Sequence, residues 1–286
     1  MGAGAIAMKL IAGRWIAGPG IGDAIALSGR LNSANISAIL NYLGEDLVDK
    51  AMVRDAVSTY LRLIDSIKSN RIKASISLKP SQIGLSVSYA TAKKNYSRIV
   101  SAARGRGVTT WLDMEAHETV DDTIRMYLSE LRKGMVGICL QSCLRRSMND
   151  LKEISEMKGT VRLVKGAYKE DGYGAFPTRQ QTTQNYSRMV RYLFRSFEGR
   201  NFMIATHDPR MMEQAFRLER ITGKKPMYAM LNGIRNNYAA KLARHNDVSL
   251  YVPFGSAWVP YAIRRLREEG HLGLLLRSLF EQQDLV

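Results

Sequence analysis

The stretch Val108-Thr-Thr-Trp-Leu-Asp-Met114, followed by Thr119–Lys133 and then Val136-Gly-Ile-Cys-Leu-Gln141, decides the fold. Two short apolar, β-rich runs flank a charged, amphipathic segment of helical length. That is the pattern of a strand, a helix and a second strand parallel to the first. The alternation extends in both directions. Similar runs occupy Ile36–Leu43, Ala74–Lys79, Thr160–Gly166, Asn201–His207, Met227–Leu231 and Val248–Phe254. Helical stretches include Ala51–Ser69, Tyr96–Arg106, Thr183–Phe197 and Met211–Ile221. Eight strands, each followed by a helix, predict an α/β protein of the closed (βα)8, TIM-type barrel class. Ser37–Leu43 fits a helix as well as a strand. Residues 1–35 mix Gly with Ala, Ile and Leu and predict short N-terminal helices ahead of a barrel at 36–286. No Pro- or Gly-rich linker divides the chain.

A chain of 286 residues is long enough for one domain of barrel size. With 45% hydrophobic and 24% charged residues it is not collagen-like, low-complexity or wholly disordered. Its two cysteines, Cys139 and Cys143, cannot make a disulfide framework and point to a reducing compartment. They read as small core residues rather than a redox pair. No apolar run reaches the length of a spanning helix, and Met1–Ile6 lacks a basic leader or a myristoylation Ser/Thr. The expectation is a soluble, cytoplasmic protein. Gly18-Pro-Gly-Ile-Gly22 follows no strand and reads as a turn rather than a phosphate loop. There is no Walker A motif and no zinc spacing, so no metal site is expected. His117, His245 and His271 read as surface residues.

The formal net charge is +16 and unevenly spread. Residues 51–100 carry nine positive groups against two negative, 151–200 ten against five, and 201–250 eight against four. No Lys/Arg block resembles a nucleic-acid-binding tail. Arg188, Arg191 and Arg195 share one face of a helix. That face is either a solvated basic surface or one drawn to anionic lipid, RNA or an acidic partner.

Nearly every proposed strand ends beside a chemically useful group: Glu45, Lys79, Asp113 with Glu115, Gln141, Lys165, Thr206 with His207, and Tyr251. In a parallel barrel these ends converge on one face, where barrel enzymes place their sites. In Arg162-Leu-Val-Lys-Gly-Ala-Tyr168, Arg162 and Val164 point to one side of a strand and Leu163 and Lys165 to the other. An Arg in a buried strand needs a partner. Gly166 permits close approach of backbone to a flat ligand. In Tyr251-Val-Pro-Phe-Gly-Ser-Ala-Trp-Val-Pro-Tyr-Ala-Ile-Arg-Arg-Leu-Arg-Glu268, Ser256 reads as an N-cap. Tyr261, Arg264, Arg265 and Glu268 then share a helix face. Two adjacent guanidinium groups make a fork for a carboxylate or phosphate, or an ordinary basic surface.

Together with Leu112-Asp-Met-Glu115, Ala205-Thr-His207 and Met230-Leu-Asn-Gly-Ile-Arg235, these segments resemble the proline dehydrogenase family in its short, monofunctional form. The resemblance runs from about Leu31 to Glu268. It implies a distorted (βα)8 barrel holding FAD, with the final helix lying over the barrel mouth. It also implies oxidation of L-proline to Δ1-pyrroline-5-carboxylate by hydride transfer to flavin N5, electrons passing to a quinone or other carrier. Carried onto this sequence, Arg264, Arg265 and Lys79 would clamp the substrate carboxylate. Leu231, Tyr251 and Tyr261 would pack around the pyrrolidine ring. Asp113 would anchor Lys79 and Tyr251, and Arg162 would stand near flavin N5. Met114, Gln141, Val164, Lys165, Gly166, Ala167, Thr206 and His207 would contact the cofactor, and Glu45 would pair with Arg264 as a gate.

Two positions depart from the family pattern. Ala229 stands where Gln is common. Lys169 stands where bifunctional members carry Trp, which weakens an expected adenine contact and leaves FMN as the alternative to FAD. A flavin dehydrogenase of another cyclic or N-alkyl amino acid is the competing enzymatic reading. A basic RNA- or lipid-binding module on a barrel scaffold is the non-enzymatic one. The excess charge suggests peripheral contact with the inner face of a membrane, or an oligomeric partner, rather than nucleic acid.

Overall fold

In the computed structural model, which describes residues 14–166 and 174–258, eight parallel strands close into a barrel in sequence order. They are β1 (Ser37–Tyr42), β2 (Ala74–Leu78), β3 (Thr110–Leu112), β4 (Val136–Gln141), β5 (Thr160–Val164), β6 (Asn201–Ala205), β7 (Met227–Leu231) and β8 (Asp247–Phe254). β8 closes back onto β1 with Tyr251 opposite Ile39. Helices α1 (Ile21–Ser33), α2 (Lys50–Ser69), α3 (Tyr89–Gly105), α4 (Val120–Leu131), α5 (Ser147–Glu156), α6 (Arg179–Arg195), α7 (Pro209–Thr222) and α8 (Asn236–Ala243) accompany them.

Residue alternation along the strands divides the interior in two. One set, including Leu40, Ile76, Leu112, Leu140, Leu163 and Ile204, packs beneath the helices in the main core. The other set faces the barrel lumen, where Ile39, Trp111, Met203 and Ala229 form a cluster of their own. Gly137 on β4 is what admits the Trp111 indole, because a Cβ there would collide with the ring. Ser37–Tyr42, ambiguous in the sequence, is a strand. It pairs with β2 on one side and β8 on the other, and its four central residues are buried.

The helices begin where side chains can cap them. Asp49 accepts from the amides of Ala51 (2.6 Å) and Met52 (3.0 Å), Ser88 from Thr91 (3.1 Å) and Thr178 from Gln181 (3.2 Å). α7 opens on Asp208 and Pro209 and stops at left-handed Gly223. α1 packs on the outside of the barrel against both β1 and β8. The segment before α1 is tied to the end of β8 by Ala17 N to Pro253 O (2.9 Å) and Gly255 N to Gly18 O (2.8 Å). Gly18–Gly22 runs into the first turn of α1, and Asp23 accepts from the amide of the N-cap Gly20 (2.9 Å).

Candidate active site

The carboxyl ends of β1 to β8 form the mouth, and a buried ionic cluster lies at its centre. Asp113, one residue past β3, accepts from Tyr251 Oη on Oδ2 (2.8 Å) and from Ser77 Oγ on Oδ1 (2.7 Å). Arg162 Nη2 donates to the same Oδ1 and to Ser77 Oγ (3.1 Å). Four strands, β2, β3, β5 and β8, thus meet in one network. The parallel register accounts for it: Ser77, Asp113, Arg162 and Tyr251 all take lumen-facing positions near their strand ends. The guanidinium lies between two rings, 5.2 Å from the centroid of Trp111 and 5.4 Å from that of Tyr251. Burial is the largest single influence and opposes its charge, but Asp113, Cys139 and Tyr251 together outweigh it and hold the pKa of Arg162 above the ordinary guanidinium value.

Lys79, 6% exposed, donates from Nζ to Glu45 Oε2 (3.1 Å). Its partner is therefore the carboxylate after β1 rather than Asp113. On the far side of the mouth Lys165 leaves β5 toward α6 and α7, bonding Asp208 Oδ2 (2.6 Å) and Thr183 Oγ1 (3.2 Å). Gln141, at the end of β4, donates to the Glu115 carbonyl (2.8 Å). His207 Nε2 accepts the Leu231 amide (2.9 Å), which places its proton on Nδ1, and Thr206 Oγ1 accepts the Asp208 amide (3.0 Å). Gly166 has φ +120°, and a Cβ there would strike Cys143 Sγ and stand 3.2 Å from Gln141 Oε1. A side chain at this position is thus excluded by the protein itself. Met114 is buried beside the mouth and Val164 and Leu231 are partly so.

Of the residues singled out in the sequence, Glu45, Lys79, Asp113, Met114, Gln141, Arg162, Val164, Lys165, Gly166, Thr206, His207, Leu231 and Tyr251 all stand at or near the strand ends. Ala167, Tyr261, Arg264 and Arg265, like Glu268 and the final helix, lie outside the described residues. Sequence reasoning missed Ser77 and Ser81. Ser77 carries a signal, since it lies two residues before Lys79 on the same face of β2. Arg188, Arg191 and Arg195 are exposed on α6, as are His117 and His245 elsewhere. Among the described residues there is no group of three or more metal-ligating side chains, and no helix long and apolar enough to cross a membrane.

The mouth also supplies a test of fit for a flavin. Arg162 is buried, and its Nη1 has no hydrogen-bond partner among the described residues. A buried donor of that kind calls for an acceptor. Gln141, Thr206 and His207 surround the same opening. The donor set suits a flat heterocycle edged with carbonyl and nitrogen acceptors.

A closed parallel barrel with a buried, charge-paired cluster at the carboxyl ends of its strands has the architecture of a barrel enzyme. The family is given by comparison: the proline dehydrogenase profile matches residues 24–273, and this chain belongs to that family of oxidoreductases acting on proline. It is 30% identical over 267 residues to proline dehydrogenase 1 of Bacillus subtilis subsp. natto, covering 91% of this chain and 87% of that one. It is 32% identical over 269 residues to proline dehydrogenase of Deinococcus radiodurans, covering 90% and 86%. Among solved structures it resembles proline utilization A of Bdellovibrio bacteriovorus inactivated by N-propargylglycine, with a TM-score of 0.85 and 19% identity. It also resembles proline utilization A of Corynebacterium freiburgense, with a TM-score of 0.80 and 21% identity. These two likenesses cover 99% and 95% of this chain but only 36% and 32% of the larger proteins. They show the same barrel fold.

Proposed function

We propose that this protein holds a flavin, FAD, over the barrel mouth and oxidises L-proline to Δ1-pyrroline-5-carboxylate, passing the electrons to a quinone or another carrier. The observation that carries the reading is the buried Asp113–Arg162–Tyr251 cluster with the Lys79–Glu45 pair beside it. The bound flavin supplies the acceptor for a hydride from proline C5.

The protein's own residues do the rest. Lys79, with Arg264 and Arg265, fixes the substrate carboxylate, which discriminates against amines lacking the acid. The same positive charge favours loss of the proton from the ring nitrogen by like-charge repulsion. Tyr251, Leu231 and Tyr261 pack against the ring. Asp113 holds Arg162 and Tyr251 in place, and Arg162 offers Nη1 toward the flavin. Gln141, Thr206 and His207 hold the cofactor from the strand ends. Because α1 already occupies the outer place beside β8 and β1, a final helix lying over the mouth agrees with the packing. Glu45 is the gate. The α6 arginines support peripheral attraction to an anionic surface, where a quinone would be met.

Anaerobic addition of L-proline to the flavin-loaded protein should bleach the visible flavin band. Bleaching by another cyclic or N-alkyl amino acid but not by proline would favour the competing substrate class. Protein that takes up neither FAD nor FMN would overturn the reading.

A further inference from the structure

A chain of hydrogen bonds around the rim links the loop that carries Glu45 to the end of β4. The Asp46 amide donates to Ser81 Oγ (2.9 Å), and Ser81 Oγ donates to Glu115 Oε1 (2.7 Å). The Ser81 amide donates to Glu115 Oε2 (2.7 Å), and Gln141 Nε2 donates to the Glu115 carbonyl (2.8 Å). Both carboxylate oxygens of Glu115 therefore point at one residue. Glu115 and Ser81 are each only 4% exposed. Asp46 takes φ +53°, a left-handed conformation that few residues other than glycine, Asn and Asp adopt, and its amide hydrogen bond to Ser81 braces it. A second strut runs alongside, from Gln82 Nε2 to Tyr42 O (2.9 Å), with Gln82 Oε1 held by Tyr60 Oη (3.0 Å).

We propose that Ser81 and Glu115 are positioning residues for substrate binding: Glu115 orients the Ser81 hydroxyl, and Ser81 pins Asp46 so that the neighbouring Glu45 carboxylate stays on Lys79. The inference rests on the reading of Lys79 as a ligand of the proline carboxylate. Both act at a remove from the reacting atoms: Glu115 spends both oxygens on Ser81, and Ser81 spends its hydroxyl and amide on Asp46 and Glu115. Their effect passes through Lys79, whose ammonium is kept out of water and aimed by the Glu45 loop. A cation desolvated and oriented in advance binds a carboxylate more tightly than one free to hydrate and turn. Because Lys79 keeps its charge once substrate is bound, a contact of this kind acts chiefly on substrate affinity and much less on the chemical step.

The test is Ser81→Ala in the flavin-loaded protein, with Ser81→Thr, which keeps the hydroxyl, as its control. Ser81→Ala should raise the KM for L-proline about tenfold, with kcat within about twofold of wild type and flavin affinity unchanged, while Ser81→Thr stays near wild type. Amide hydrogen exchange should quicken about tenfold or more at Asp46 and its loop in Ser81→Ala, with the strands still protected. An unchanged or lower KM, or a rise in KM accompanied by losses of kcat and flavin affinity, would overturn the proposal. So would equal losses in Ser81→Thr. If the wild-type protein does not oxidise proline, the functional reading fails on its own. The exchange measurement then decides the latch, and unaltered exchange at Asp46 refutes it.

Discussion

Asp113 accepts from three side chains carried by three other strands, so its loss removes more than one contact. In Asp113→Ala the guanidinium of Arg162, 3% exposed, is left without its countercharge. Removing one partner of a buried ion pair costs about 3–5 kcal/mol, and chemical denaturation should show a loss of that size. A loss below about 1 kcal/mol would mean that Arg162 finds another partner or rehydrates. Glu115 makes the opposite kind of prediction. Burial pushes its carboxyl up to about 7, while the Ser81 amide and hydroxyl and the charge of Lys79 pull the other way and nearby Asp46 adds to the rise. The folded protein then binds a proton that the unfolded chain releases near pH 4.5, so stability is full at low pH and declines as pH rises through about 7. Relative to Glu115→Gln, which cannot ionise, the wild-type protein should lose about 3 kcal/mol of stability between pH 4 and pH 8. A wild-type-minus-variant difference that does not change with pH contradicts this environment for Glu115. The family resemblance anticipated the contact of Asp113 with Tyr251, but the pairings of Arg162 and of Ser81 were not legible in the sequence. Arg162 plainly needed a partner, but Asp113 stands far from it along the chain and only the strand register brings them together. Ser81 offered no signal at all, since a serine after Lys79-Pro80 reads as an ordinary turn residue.

At the scale of elements the alternation of apolar runs with amphipathic stretches located all eight strands, because each is buried on both faces and so reads as a short apolar block. What it did not locate follows from local chemistry. α3 starts at Tyr89 rather than Tyr96 because Ser88 caps it, and the first turns carry too few apolar residues to show the helical period. α5 and α8 are short, and their apolar residues are too few to outline a face. β3 spans only Thr110–Leu112, since beyond Leu112 the chain turns into the mouth to deliver Asp113 and Glu115. The place of Trp111 in the lumen depends on Gly137 opposite it, a pairing between β3 and β4 set by register. Gly137→Ala should therefore destabilise by about 1–3 kcal/mol through overpacking. Trp111→Leu in the same chain should recover much of the loss. A neutral Gly137→Ala variant would mean that the lumen has room to spare beside the indole.

For the whole molecule, the net charge of +16 takes on a different meaning once the mouth is described. Lys79, Arg162 and Lys165 each face a carboxylate, from Glu45, Asp113 and Asp208. The described part of the mouth is thus close to balanced, and among the described residues the excess lies on the outside. α6 exposes Arg188, Arg191 and Arg195 and contains no acidic residue; α3 exposes Lys93, Lys94 and Arg98 and contains none either. These helices belong to different parts of the helical ring, so the charge surrounds the barrel more than it marks one face. Attraction to an anionic surface would act over about 8 Å at physiological ionic strength and weaken steeply with salt. The central claim concerns the mouth, and one measurement addresses it most directly: anaerobic titration of the flavin-loaded protein with L-proline and, separately, with pyrrolidine. Saturable bleaching of the flavin band by proline, and none by pyrrolidine at the same concentrations, is the predicted result. Equal bleaching by both, or by neither, would contradict a mouth built to hold an amino acid by its carboxylate.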